Sequence, residues 1–555
     1  MKKHIASILI ILVSVYCMVK PLAGDSYFTM HDDTQVSRVI VMGNALRNGQ
    51  FPVRWVSDLG YGYGYPLFNF YGPLPYYVGG GLYAAGIDAV TATKFMMGLG
   101  MVLSAIFMYA FVRTVFGHAA AIFAAVLYAY APYHAVELYV RGAVGELWSY
   151  AMLPIVFLGI YLCKEEAGRK HALWVGGLGL AGIILSHTIM GYIAVAFYAI
   201  GLTCYAIYLF ITSGMVGRRI MDLFLIALIG LGFSAFFWLP VLVESGYTNV
   251  AGQIGASANF RDHFVCVAQL WNSVWGFGGS ASGCVDGMSF KIGKLHVLLA
   301  VAGLALSVIR FKQDYRHQFM VMIGIMGLIM VGMTTKFFAG VWEVVPGFAY
   351  IQYPWRFLTG IVFACSVLGG SFASRVFRGR LRLIFFGVSM FAVVFINAKL
   401  FVPQRTYYQP AQYFERREDL SWRVSKISDE YLPGAFIKPS RQQDTATAIL
   451  KTDANRGLFS ETELDTETYA KLHIQSDRES EVVLNRVYFP GWSYLVNGTV
   501  QPLHIVGGMP IVRVPSGGSA VELRFGNTAA RSVGNFISLL AVLFFLRKYG
   551  KKSLA

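Results

Sequence analysis

Apolar runs recur along almost the whole chain, most of them near the 17–25 residues a helix needs to cross a bilayer. They fall at roughly 5–22, 95–112, 118–131, 147–163, 172–187, 190–211, 221–240, 294–309, 318–334, 357–373, 383–401 and 530–546. Of the 555 residues, 56% are hydrophobic and only 14% are charged. A water-soluble chain cannot bury that much apolar surface. In hydrocarbon every backbone polar group must be satisfied internally, so the runs are expected to be helices. The expected class is a polytopic α-helical membrane protein with about twelve transmembrane helices. The third and fifth runs are short enough to be half-spans.

The formal net charge is +16. In a soluble protein that excess would suggest nucleic acid. Here the basic residues lie between apolar runs, so they read as membrane topology and imply no nucleic-acid partner. They are Lys2 and Lys3, Arg113, Lys164 with Arg169 and Lys170, Arg218 and Arg219, and Arg310 with Lys312 and Arg316. Further on come Arg375, Arg378, Arg380 and Arg382, then Arg547, Lys548, Lys551 and Lys552. With all of these inside, both termini are cytoplasmic. Residues 1–22 are expected as a retained first helix, because Asp32 and Asp33 follow closely and there is no small-x-small cleavage site. The apolar stretch 74–87 is expected to lie flat on the outer surface as an interfacial helix.

Three parts are expected. Residues 1–401 form the membrane body, with residues 23–94 as its first outer loop. Residues 402–529 form an extracytoplasmic β-rich domain. Residues 530–555 add a final transmembrane helix and a basic cytoplasmic tail. Within 402–529, Thr468–Ile474, Glu481–Tyr488, Ile511–Val514 and Ala520–Phe525 read as strands, and Ser516–Ser519 as a turn. Asn497-Gly498 marks a hairpin, and a small β-sandwich fits. Cys17, Cys163, Cys204 and Cys365 fall in apolar runs and read as packing residues. Cys266 and Cys284 share one outer loop and can form a disulfide if that face is oxidising.

Four groups of residues carry candidate chemistry. Asp32 and Asp33 come shortly after the first run. A solvated turn explains such a pair, but so does a general base or a divalent-metal ligand pair. His134, Glu137 and Arg141 share one face if their segment is helical, and Glu146 stands at the edge of a span, where an unpaired charge is costly. These read either as interfacial ion pairs or as parts of an outward-opening polar cavity. His187, between two apolar runs, is a packing residue or a functional group. Arg356, in Gln352-Tyr-Pro-Trp-Arg-Phe357, is either a snorkelling anchor or a cation for a lipid phosphate, and Lys94 can share the latter role.

Taken together, the acidic pair, Asn44–Trp55, Gly60-Tyr-Gly-Tyr-Gly-Tyr-Pro66, Tyr71–Tyr76, Arg141…Glu146, Leu185-Ser-His187 and Gln352–Phe357 resemble the bacterial membrane proteins called 6-pyruvoyl-tetrahydropterin synthase-related. That group in turn resembles the GT-C superfamily of membrane glycosyltransferases. Tyr488-Phe-Pro-Gly-Trp492 followed by an Asn-Gly hairpin is similar to the outer tail of YfhO-type bacterial membrane proteins. The resemblance implies a transferase in the bacterial cytoplasmic membrane that takes a sugar from a polyprenyl-phosphate donor. The acceptor would be an envelope glycan, lipid or protein on the outer face, and the transfer would invert the anomeric centre. It puts Asp33, then Asp32, in the place of the first-loop acid, with Glu146 and His187 as further catalytic candidates. Arg356, Lys94 and Arg141 would face the donor phosphate. Asp32, Asp33 and His134 are the candidate ligands for a divalent metal (Mg, Mn or Zn). Many relatives carry Glu where this chain has Asp-Asp. A flippase for a lipid-linked sugar and a non-catalytic envelope scaffold are the alternative classes.

Overall fold

The computed structural model describes residues 2–166, 168–213, 217–253, 258–376, 379–450 and 457–550. Arg378, Lys551 and Lys552, used above for topology, lie outside the described residues. Every apolar run is helical: Lys2–Val19, Ala89–Phe116, His118–Ala129, Val144–Leu162, Arg169–Ser186, Thr188–Ser213, Arg218–Glu244, Lys294–Ile309, Tyr315–Thr334, Leu358–Val376, Gly379–Asn397 and Ala529–Gly550. Among the described residues, nine helices are long and apolar enough to cross a membrane. The count is ten if His118–Ala129 and Pro132–Val140, bent by 50° at their break, form one span. Lys294–Ile309 is apolar but shorter. Leu74–Ala84 has 11 residues, too few to cross.

The chain divides into two compact units. The first comprises Met1–Asp32, Lys94–Ser234 and Ile254–Tyr408, and the second Asp33–Thr93, Ala235–Gln253 and Gln409–Ala555.

In the first unit the helices pack through small residues, as apolar helices must where lipid offers no hydrophobic gain for association. A side chain on Gly159 would meet the Gly176 Cα at 2.3 Å, so Val144–Leu162 and Arg169–Ser186 touch backbone to backbone. Gly303 does the same for Lys294–Ile309 against Leu358–Val376, where a Cβ would stand 2.2 Å from the Leu368 carbonyl oxygen. Tyr27–Phe28 pairs antiparallel with Thr406–Tyr407. Cys266 and Cys284 are joined in a disulfide with their Cα atoms 5.6 Å apart.

The second unit holds the sheets. Leu458–Asp465, Tyr469–Ser476, Gly517–Phe525, Trp492–Val496 and Thr499–Val500 lie side by side in that order, all antiparallel. Ser480–Val483, Met509–Val514 and His504–Val506 form a second, three-stranded sheet. The Asn497-Gly498 hairpin is present, with φ of 50° and 79°, the pair of left-handed residues that a two-residue hairpin requires. The turn expected at Ser516–Ser519 is shorter, because Gly517 and Gly518 already pair with Ser476 and Gln475. The strands on either side of it also belong to different sheets.

The Gly-Tyr repeat of the first loop belongs to this unit. Gly64 (φ 87°) leaves no room for a side chain, since a Cβ would stand 2.2 Å from the Trp55 ring. Trp55 is fully buried against Trp492 (5.3 Å between centroids) and Phe525 (5.5 Å). Tyr61 and Tyr63 pack edge-on against Trp422 and Phe436.

One buried acid in this unit makes stability depend on pH. Glu467 is 5% exposed, and burial together with the Asp58 charge raises it from 4.5 to about 7. The folded state therefore keeps a proton that the unfolded chain releases near pH 4.5. Stability is fully present below about pH 4.5 and falls as pH rises to about 7. Glu467→Gln cannot ionise and is expected to escape that fall. Relative to wild type it should gain on the order of 3 kcal/mol between pH 4 and pH 8, at 1.36 kcal/mol per pKa unit. Thermal melting of detergent-solubilised protein across that range checks this, and parallel curves for the two proteins would contradict it.

Candidate functional site

Three of the residues expected to matter come together in the first unit. Glu146 lies in the first turn of Val144–Leu162 and is 1% exposed. Arg141 grips it with both ends of its guanidinium, Nη1 to Oε2 at 2.6 Å and Nη2 to Oε1 at 2.7 Å. Arg356 Nε donates to the same Oε1 at 2.9 Å, and Arg356 Nη1 donates to the Ile351 carbonyl. Tyr133 completes the cluster: its hydroxyl donates to Glu146 Oε2 and accepts from Arg141 Nη1, each at 3.4 Å. Two guanidiniums thus share one carboxylate among nearly buried groups.

The local backbone explains how these residues meet. Val136–Val140 is a π-helical turn, in which the Arg141 N–H reaches back to the Val136 carbonyl (2.9 Å). Gly142 follows with φ of 65°, reversing the chain so that Arg141 faces Glu146 only five residues later. Such π turns are frequent at functional sites. On the other side, Gln352 has φ of 66° and ψ of −48°, and the Tyr353 N–H bonds the Ile351 carbonyl at 2.7 Å. This is a γ-turn of the rare, strained hand, an unusual expense for a non-glycine residue. It precedes Pro354 and sets the short helix Pro354–Phe357 that carries Arg356.

His187 packs against the same helix start. A Cβ on Gly145 would come within 2.9 Å of its ring, so glycine makes room there. The charges of Glu146, Arg356, Arg141 and Asp32 all reach the His187 ring. The Asp32 N–H donates to the Arg141 carbonyl (2.9 Å), and the His31 N–H to the Val140 carbonyl (3.0 Å). The first loop is thereby stitched to the segment that carries Arg141. Glu137 is fully buried in the π turn, where Oε1 accepts from the Thr359 hydroxyl (3.2 Å) and Oε2 meets no partner among the described residues.

The other candidates have partners of their own. His134 is fully buried, stacked on Tyr150 (4.4 Å), and its Nδ1 is engaged by the Ala129 carbonyl (2.8 Å). Lys94, 5% exposed, donates to the Gly24 carbonyl. In the second unit Asp33 Oδ2 pairs with Arg423 Nη1 at 3.4 Å, and Arg423 is itself held by Asp419 (2.5 and 3.0 Å). Among the described residues no three His, Cys, Asp or Glu side chains form a group that could hold a metal ion. Asp32, Asp33 and His134 do not form a metal centre as they stand.

The second unit also contains a buried polar network that lies beyond the motifs. Glu244 accepts from Arg531 (3.1 and 2.9 Å), Asn69 (2.8 Å) and Thr528 (2.6 Å). Arg54 joins through Asn69 (3.1 Å) and Asn535 (2.9 Å). The signals in the sequence were an acid and a base at the ends of apolar runs, and nothing local pairs them.

Helices of this length and composition, with a sheet-bearing region, define a polytopic membrane protein. The sequence profile of the 6-pyruvoyl-tetrahydropterin synthase related domain, a membrane protein family, matches residues 68–401, and the chain belongs to that family. No curated protein matches the chain in sequence. Among solved structures, the chain is similar to the Archaeoglobus fulgidus oligosaccharyltransferase in complex with Zn and sulfate, with 15% identity and a TM-score of 0.49 over 80% of this chain and 59% of that one. It is also similar to the arabinofuranosyltransferase AftD from Mycobacteria (15%, 0.43, covering 73% and 27%). A third similar structure is ArnT from Cupriavidus metallidurans bound to undecaprenyl phosphate (12%, 0.42, covering 75% and 69%). The chain spans about three fifths of the length of the oligosaccharyltransferase chains it matches.

Proposed function

We propose that this protein is a membrane glycosyltransferase that moves a sugar from a polyprenyl-phosphate donor to an acceptor hydroxyl on the outer face of a bacterial cytoplasmic membrane. The observation that carries the reading is the pairing of Arg141 and Arg356 on the single carboxylate of Glu146. Two nearly buried guanidiniums on one carboxylate are costly to desolvate, and a further anion lowers that cost. Arg is the residue suited to a phosphate, through its planar fork of donors. Glu146 then serves to hold the two cations in register, and the charges of all three, with that of Asp32, act on the His187 ring.

In the reaction, Asp33 takes the proton from the acceptor hydroxyl. The oxygen attacks the anomeric carbon, the bond from that carbon to the phosphate oxygen breaks, and configuration inverts. Polyprenyl phosphate leaves with the electron pair, and Arg141 and Arg356 stabilise its charge. Arg423 orients Asp33. Residues 402–529 form the extracytoplasmic domain that meets the acceptor, and both termini are cytoplasmic.

Release of polyprenyl phosphate from polyprenyl-phosphate sugars, by purified protein in nanodiscs, tests the reading. Asp33→Asn is expected to lower release about 10²-fold or more while donor binding is kept. Equal release by the two proteins would remove Asp33 from the chemistry. Donor movement across the bilayer without any release would favour a flippase.

A further inference from the structure

The second unit contains a cavity of about 440 Å³ that the transferase reading leaves unused. It lies between the end of Gln35–Arg47, the Ser57-Asp58 segment and the Asp465–Glu467 turn. That volume is within the roughly 300–1,000 Å³ typical of small-molecule sites. Its wall is unusual in composition. Three carboxyls (Asp58, Asp465, Glu467), three guanidiniums (Arg47, Arg417, Arg486) and three asparagines (Asn44, Asn48, Asn485) line it.

Several of these groups have bonding capacity to offer a ligand. Arg486 is 2% exposed, yet it makes one side-chain hydrogen bond, Nη2 to Asp465 at 2.6 Å, and its Nε has no partner among the described residues. Charges from Arg417, Asp465 and Arg486 act on the Asp58 carboxyl, but none of them hydrogen-bonds to it. Glu467, another lining residue, accepts from the Ser57 backbone N–H. Buried polar groups with unmet bonds are costly unless something meets them.

The balance of charge selects the ligand. A phosphate or carboxylate entering this cavity would meet Asp58 and Glu467, and an amine would meet Arg417 and Arg486. An uncharged ligand dense in hydroxyls suits both signs. Adjacent hydroxyls donate to a carboxylate and accept from the fork of a guanidinium. Burial and the Asp58 charge raise Glu467 to about 7, so near pH 7 its carboxyl is present both as an acid that donates and as a carboxylate that accepts.

We propose that this cavity is a binding site for a neutral saccharide, with Asp58, Arg417 and Arg486 as its recognition groups. As the place that seats a glycan acceptor it rests on the transferase reading, but binding itself does not. The test uses full-length protein in nanodiscs on an array of neutral di- and trisaccharides, with sugar phosphates and amino sugars as charged controls. Wild type is expected to retain neutral sugars. Asp58→Asn and Arg417→Gln are each expected to weaken retention at least tenfold, and Arg417→Gln, at an exposed position, to do so with an unchanged melting temperature. Capture of charged sugars in preference to neutral ones would overturn the proposal. So would no neutral sugar retained at millimolar concentration, or retention indifferent to both substitutions. Because retention is read without turnover, its failure leaves the transferase reading standing. A protein that retains sugars but never releases polyprenyl phosphate would remove that reading and keep this site.

Discussion

Glu146→Ala is expected to cost the protein its fold as well as its activity. The substitution leaves the Arg141 and Arg356 guanidiniums facing each other with no carboxylate between them, at side-chain exposures of 12% and 7%. Removing one partner of a buried ion pair typically costs about 3–5 kcal/mol, because the remaining charge stays desolvated. Here two charges are stranded and also repel. The folded fraction in a size-exclusion profile, and the melting temperature of what remains, measure the loss.

A second variant separates stability from function. Replacing Arg141, Glu146 and Arg356 together with Leu, Leu and Met removes every stranded charge. Apolar replacement of a complete buried ion cluster is often neutral or stabilising. The triple variant should therefore recover most of the melting temperature lost by Glu146→Ala, yet show no donor binding. Recovery of donor binding with stability would mean that the phosphate is held elsewhere.

Arg531→Ala should be comparably damaging, in the second unit. Arg531 is fully buried and holds Glu244 through two bonds, the Pro490 carbonyl (2.8 Å) and the Gly526 carbonyl (3.1 Å). It also lies over the Phe525 ring at 4.7 Å. Without it, Glu244 keeps only Asn69 and Thr528 as donors. A loss of about 3–5 kcal/mol follows by the same argument. The start of Ala529–Gly550 also loses its tie to the chain around Pro490 and Gly526. Limited proteolysis should cut near residue 527 in the variant and spare the wild type. Arg531→Lys keeps the charge but not the two-pronged grip, and should fall between them. A wild-type proteolysis pattern and melting temperature in Arg531→Ala would show that the network carries no net stability.

Several readings were open in the linear chain because they rest on short-range rules. Hydrophobic run length marks helices whatever their neighbours, and each apolar run is a helix. A tight two-residue hairpin favours left-handed residues, which Asn and Gly adopt most readily, and Asn497-Gly498 forms one. The resemblance carried by the acidic pair, the Gly-Tyr repeat and Gln352–Phe357 led to the family that the profile identifies. By contrast, Arg141 and Glu146 were legible as a charged pair near a span, but not as the two ends of one clamp. The π turn and Gly142 that bring them face to face follow no periodicity a sequence displays.

Run length, charge between runs and a few turn signals were thus enough to determine a polytopic helical membrane protein with a sheet-bearing region. The tertiary structure alone decided which charges meet. Arg356 reaches Glu146 across 210 positions, and Arg531 reaches Glu244 across 287. Helix and turn preferences act over a few residues and are written locally. An ion pair depends on where two distant segments come to rest, and a buried charge reads the same in sequence whether its partner is a carboxylate, a lipid phosphate or water.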